Sequence, residues 1–300
     1  FFGGYTHLSM EEAVHAVANS IAGLEAGTVA GKDVAFIPGT QIQSDETEEF
    51  DRILKIQKPE CRSLLEELRE ELKETEIIYA YGYPAAGNDL SHFDEALDAV
   101  READAVILTL GGKHGSCSVA TMGEGVDSTD INLPVCQEEF IRRAAELGKP
   151  MIGVHFDGRP ISSDAADAYL DAVLEAWNPS ETGAQAVVQV LTGRYNPGGK
   201  MPVCTARCAG QEPIYYNHMF GSYWHQGVSI GFRDYVNMPH EPRYFFGQGL
   251  SYTTFAYSDP AVSSNEIAPS DSVKIRVTIE NTGSRDGDEV VQLYFRDVRA

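Results

Sequence analysis

Between residues 76 and 193, short apolar runs alternate with longer stretches in which apolar positions recur every three or four residues. EIIYAYGY, AVILTL, PMIGVHF and AVLEAW have the length and composition of strands. Between them, SHFDEALDAVREAD sets Phe93, Leu97 and Val100 on one helical face, and PVCQEEFIRRAAELG does the same with Cys136, Phe140, Ala144 and Leu147. A helix is also predicted near DAADAYLDA, and ETGAQAVVQVLTG aligns Ala184, Val188 and Leu191. Strands alternating with amphipathic helices predict an α/β fold with a mostly parallel sheet and crossover helices. Ser91 with Asp94 is expected to cap one helix, and Pro134 to open another in its first turn.

Upstream, SMEE reads as a capping box that opens a helix running from Ser9 to Gly27. Residues 28–60 form a polar, acidic excursion with no sustained period and no readable role, followed by a helix over Cys61–Lys73. Beyond about residue 195 the composition turns to Tyr, Phe, Gly and Pro without period, as expected of a surface segment or interdomain strap. SVKIRVTIENTGSRDGDEVVQLYFRDV then alternates apolar and polar positions across a polar turn, predicting antiparallel strands of a partial β-sandwich.

The net charge of -22 argues against a nucleic-acid partner, because phosphate binding needs clustered Lys and Arg. Much of the acidity lies on CRSLLEELREELKETE, a solvated helical face. Five scattered cysteines, Cys61, Cys117, Cys136, Cys204 and Cys208, fit free thiols in a reducing compartment, with a Cys204–Cys208 pair left open. A cytoplasmic location is therefore expected, and secretion stays open because any signal peptide would lie upstream. No run of about 18 apolar residues predicts a membrane span. The chain opens on FFGG and stops inside a predicted strand, so both ends are expected to be cut.

In an open α/β sheet ligands bind at the carboxyl ends of the strands, which directs attention to GGKHGSCSVATMGEGVDSTDINLP, residues 111–134. It matches neither a phosphate loop nor a dinucleotide fingerprint. Glu124 sits between two glycines, which suits a mobile acid, and Lys113 and His114 offer donors for sugar hydroxyls. Asp127 and Asp130 are expected to tie loop amides, while Cys117 has no local base to make it a nucleophile. His155, Asp157 and Arg159 follow another strand, where pairing of Arg159 with an acid is the expected use. Trp177 reads as core or an interdomain plug, and Trp224 as packing with some potential for sugar stacking. No metal site or cofactor is predicted.

AVILTL, MGEGVDSTDINLP, QEEFI, GKPMIGV, GRPI, LEAW, GRYNPGGKMPV, YYNH, YFFGQGLSYTTF and VTIENTGSRDGDEVVQLYF occur in an order that resembles the carboxyl-terminal half of family-three glycoside hydrolases, the β-glucosidase and β-xylosidase group. The resemblance implies an α/β sandwich domain over residues 1–258, lacking its first strand, then part of a fibronectin type III-like domain over 259–300. It implies that an amino-terminal barrel bearing an Asp nucleophile lies outside this chain, and that Glu124 is the acid/base. Many relatives carry Arg a few residues after that Glu, where this chain has Ser128.

The implied reaction is retaining hydrolysis of terminal nonreducing β-linked sugars, with β-glucosidase activity foremost and the chain alone inactive. The implied partners are a β-glucoside or oligosaccharide and the absent barrel, with homo-oligomerisation open and neither nucleic acid nor membrane expected. The alternatives are a noncatalytic carbohydrate-binding or interaction module of the same fold, a β-xylosidase or arabinofuranosidase, and an enzyme whose acid/base comes from the barrel.

Overall fold

The computed structural model describes residues 62–85, 87–112, 128–179, 182–217, 235 and 237–295, together with a small antiparallel pair, β1 (Thr28–Val29) and β2 (Lys32–Asp33). The helix expected from Ser9 to Gly27 lies outside the described residues.

Helix α1 (Leu64–Glu71) starts where Ser63 Oγ accepts from Glu66 N at 3.3 Å while Glu66 Oε2 accepts from Ser63 N at 2.9 Å. This reciprocal pair satisfies two amides that would otherwise lack partners at the helix start. Helix α2 (Phe93–Glu102) buries Phe93, Ala96, Leu97 and Val100, the face read from the sequence. Its expected Ser91–Asp94 cap is replaced by Asp89, whose Oδ1 accepts from Ser91 N at 2.9 Å. A short-range Asx bond of this kind competes directly with capping.

The central sheet has three parallel strands in the order β3 (Val106–Gly111), β4 (Met151–Phe156) and β5 (Ala172–Glu175). The crossovers carry α3 (Val135–Ala145) after β3 and α4 (Asp164–Tyr169) after β4, and α5 (Gly183–Leu191) follows β5. Pro134 takes the cap position of α3 rather than its first turn. Strand alternation sends Leu108, Leu110 and Met151 to one face, where they join Phe93, Phe140, Ile141, Ala165 and Ala166 in the core. Val154, on the opposite face, is also fully buried, so β4 is covered on both sides. Phe93 and Phe140 meet edge to face at 5.1 Å, a contact worth about 0.5–1.5 kcal/mol beyond its buried area. At Gly153 a Cβ would come within 2.6 Å of Leu170 Cδ1, so a larger residue there requires the leucine side chains to shift.

The expected strand EIIYAYGY forms no ladder. Tyr83 instead donates its hydroxyl to the Thr109 carbonyl at 3.0 Å, engaging β3 through a side chain rather than through backbone amides. Between this segment, α1 and β3 lies an apolar-walled cavity of about 660 Å³, lined by Leu68, Ile77, Tyr79, Val100 and Ile107 among others.

The aromatic-rich strap is anchored on α4 by Arg243. This buried side chain donates to Ser162 Oγ at 2.6 Å and to the Ser163 carbonyl at 3.1 Å, and pairs with Asp164 and Asp167. A Thr205–Tyr244 bridge and the Tyr244 hydroxyl bond to Asp167, at 2.7 Å, reinforce it. Cys204 and Cys208 are free. Cys204 Sγ accepts from Phe246 N at 3.4 Å and Cys208 Sγ meets Met238 Sδ at 3.6 Å, which closes the open question of a disulfide.

A second sheet pairs β6 (Phe255–Val262) with β7 (Ile275–Asn281) antiparallel, with an irregularity between Ser258 and Ala261. Asn196 fastens it to the first unit, donating to the Asp286 carbonyl at 2.9 Å while its Oδ1 accepts from Ser251 Oγ and Tyr252 N. The apolar positions of EVVQLYF stay exposed and form no assigned strand, because Leu293 and Phe295 have no opposing sheet to pack on among the described residues. No described helix is long and apolar enough to cross a membrane.

Candidate functional site at the strand ends

The three parallel strands present their carboxyl ends together, and the segment singled out in the sequence leaves from one of them. Its exit is rigid. Gln137 of α3 is buried and reaches back to Gly111, its Oε1 accepting from the Gly111 N–H at 2.9 Å and its Nε2 donating to the Gly111 carbonyl at 2.8 Å. Gly111 has φ +109°, and a Cβ there would fall 2.2 Å from the Phe156 carbonyl oxygen, so no side chain fits this exit. Gly112 N donates to that same oxygen at 3.1 Å.

The return limb is fixed as firmly. Asp130 Oδ1 accepts from Asn132 N at 3.0 Å, tying a loop amide as its position suggested. Asn132 bridges to Ser162 in parallel, with Ser162 N donating to the Ile131 carbonyl at 3.0 Å and Leu133 N to the Ser162 carbonyl at 3.1 Å. Arg159 lies close enough to Asp157 and Asp130 for their charges to act on it, and it also holds the limb. Its guanidinium donates to the carbonyls of Ile131 (3.1 Å), Pro160 (2.9 Å) and Asp130 (3.3 Å), clamping the limb by its backbone. Glu124, Lys113 and His114 lie outside the described residues, as do Cys117, Asp127 and Trp224.

Beside this exit the ladder register assembles a second group. His155 of β4 pairs with Glu175 of β5, and residues in register on parallel strands point to the same face. Asp157, two residues beyond His155, follows on that face. One ligand atom from each of the three lies within 4.8 Å of the others. Glu175 is aimed by Trp177, whose N–H donates to Oε1 at 3.1 Å, leaving Oε2 at 3.5 Å from His155 Nδ1. Trp177 achieves this with φ 54°, an uncommon conformation for a bulky residue, and its carbonyl accepts from Asp157 N at 3.2 Å. Its backbone thus positions both acids, while its side chain is half-buried.

Asp157 has no exposed surface and His155 almost none, and His155 Nε2 and both carboxylate oxygens of Asp157 lack a hydrogen-bond partner. Burial, with a further push from the Glu175 charge, raises the Asp157 carboxyl to about 9 despite the nearby Arg159. The group therefore offers one imidazole and two carboxyls at the carboxyl ends of adjacent strands, with Asp157 and His155 Nε2 unpartnered. Sequence reading placed His155 and Asp157 at a strand end but passed over Glu175. Only the register of AVLE against MIGVHF brings it alongside, and that offset is written in no motif.

Comparison with known proteins bears on most of the chain. Residues 9–252 match the family model described as glycosyl hydrolase family 3 C-terminal domain. A protein of Salmonella typhimurium named periplasmic beta-glucosidase is 36% identical over 209 residues, covering 69% of this chain and 27% of its own. A beta-xylosidase of Formosa agariphila is 35% identical over 236 residues, covering 78% of this chain and 31% of its own. Among solved structures, a β-glucosidase from Erythrobacter marinus aligns with TM-score 0.64 at 30% identity over 75% of this chain and 32% of that one. The β-glucosidase of Listeria innocua in complex with gluconolactone also aligns with TM-score 0.64, at 27% identity over 74% of this chain and 30% of that one. The chain thus spans about a third or less of the length of these relatives.

Proposed function

The chain belongs to glycosyl hydrolase family 3 by its C-terminal domain, and on that footing we propose that it serves an exo-acting retaining β-glycosidase, with β-glucosidase activity foremost. The observation that carries this reading is the match over residues 9–252 together with relatives named for β-glucosidase and β-xylosidase activity. In the proposed site Glu124 is the acid/base, carried on the arm between Gly112 and Ser128, and the nucleophilic carboxylate comes from a barrel outside this chain. Retaining chemistry sets two carboxyl groups about 5 to 5.5 Å apart. Glu124 protonates the leaving oxygen as the nucleophile attacks, then takes a proton from the water that releases the sugar. Lys113 and His114 are proposed to donate to sugar hydroxyls.

The pinned ends support this assignment physically. Gln137 fixes Gly111, where the glycine-rich segment begins, and Arg159 fixes Ile131 on its return limb. The beta-xylosidase relative favours a second reading, in which the terminal sugar is a pentoside. Comparing kcat/KM of the full-length protein on aryl β-glucoside and aryl β-xyloside decides between them, and absence of turnover on both would remove the glycosidase reading. The free thiols Cys136, Cys204 and Cys208 support a cytoplasmic location, and the Salmonella relative named as periplasmic supplies the alternative, which cell fractionation separates.

A further inference from the structure

We propose that His155, Asp157 and Glu175 form a binding site for a divalent transition-metal ion of the Zn²⁺ or Mn²⁺ class. The site is built by register. His155 and Glu175 are laddered partners on adjacent parallel strands, Asp157 follows two residues on, and one ligand atom from each lies within 4.8 Å of the other two. Carboxylates alone at a surface would carry no such meaning. Here Asp157 is wholly buried with both oxygens unpartnered, and His155, 2% exposed, has Nε2 unpartnered. Buried polar atoms are ordinarily satisfied, so unpartnered atoms on two neighbouring buried residues point to a missing partner.

The chemistry of the donors selects its class. Arg159 lies near enough to Asp157 to offset its charge in part, while its guanidinium also donates to the carbonyls of Asp130, Ile131 and Pro160. Metal binding displaces any proton from its ligands, and the neutral imidazole with two carboxylates that results carries two negative charges, which a divalent cation balances. One nitrogen and two oxygens suit Zn²⁺ or Mn²⁺, whereas Ca²⁺ and Mg²⁺ prefer all-oxygen sets. The backbone already holds a ligand in place, since the Trp177 N–H fixes Glu175 Oε1 and leaves Oε2 for the site. Such an ion would tie the end of β4 to the end of β5 beside the exit at Gly111. This inference does not depend on the glycosidase reading, because its readouts are bound metal and melting temperature.

The test uses untagged full-length protein, treated with chelator and offered ZnCl₂, MnCl₂, MgCl₂ or CaCl₂ separately. Expected are retention of one additional equivalent of Zn²⁺ or Mn²⁺ after gel filtration, a rise in melting temperature, and affinity about 10–100-fold lower in His155→Gln and Asp157→Asn. Failure to retain either ion, or retention unchanged in both variants, would overturn the proposal. Should the variants fail to fold, pulsed electron paramagnetic resonance of Mn²⁺-loaded wild type decides: coupling to an imidazole nitrogen supports the site, and its absence overturns it.

Discussion

The side-chain amide of Gln137 closes on both backbone polar groups of Gly111, accepting from its N–H at 2.9 Å and donating to its carbonyl at 2.8 Å. A helix residue thereby sets the point and angle at which the proposed acid/base arm leaves the sheet. Gln137→Ala strands these groups in a buried place, at a cost of about 1–3 kcal/mol for an unsatisfied buried partner. We expect a lower urea midpoint and, in the full-length protein, a kcat that falls more than KM rises. Unchanged stability would mean that Gly111 finds other partners.

Gly111 itself is the more severe test of the same exit. Alanine there needs φ near +109° and sets its Cβ against the Phe156 carbonyl, a backbone atom that cannot rotate away. Gly111→Ala is expected to destabilise by more than about 1 kcal/mol, beyond the ordinary effect of a backbone-compatible exchange. Thermal melts of the two proteins side by side check this.

Arg243 provides a prediction for the strap. Its buried guanidinium serves Ser162, Ser163 and the two acids of α4, so Arg243→Met leaves Asp167 with the Tyr244 hydroxyl and the Ser163 carbonyl with the Asp167 amide, each having lost its charged donor. Asp164 and Asp167 both reach water, so the cost is that of lost charged hydrogen bonds, about 1–3 kcal/mol, rather than that of a stranded buried charge. Limited proteolysis is expected to show earlier cleavage after residue 195 in the variant.

Asp157 makes stability depend on pH in the metal-free protein. Its folded-state value is raised, by burial first, to about 9 from 3.8, so the folded form holds a proton that the unfolded form releases. This contribution is fully present below about pH 4 and is lost as pH rises through about 9. After chelation, Asp157→Asn is expected to flatten that decline and to melt higher than wild type at pH 8. Parallel curves across this window would contradict the assignment.

Much of this architecture is legible in periodicity. The face of Phe93, Leu97 and Val100 and the strands AVILTL, PMIGVHF and AVLE can be read because burial alone selects them. EIIYAYGY misleads because alternating tyrosines satisfy a strand pattern, yet a tyrosine hydroxyl can engage a strand carbonyl without any ladder forming. The clamp that Arg159 places on the carbonyls of the return limb is a tertiary contact that its position beside acids does not announce. Gln137 reads as an ordinary helix residue because its partner lies 26 positions away. Glu175 joins His155 only through strand register, a tertiary property that no local spacing encodes.

The role of Glu124 is the central claim, and leaving-group dependence tests it most directly. In the full-length protein, Glu124→Gln is expected to slow hydrolysis of β-glycosides with poor leaving groups by about 10²–10⁴-fold, the usual contribution of general acid catalysis, while sparing formation of the glycosyl-enzyme from strongly activated aryl glycosides. Wild-type rates on both substrate classes would contradict the claim and move the acid/base to another residue.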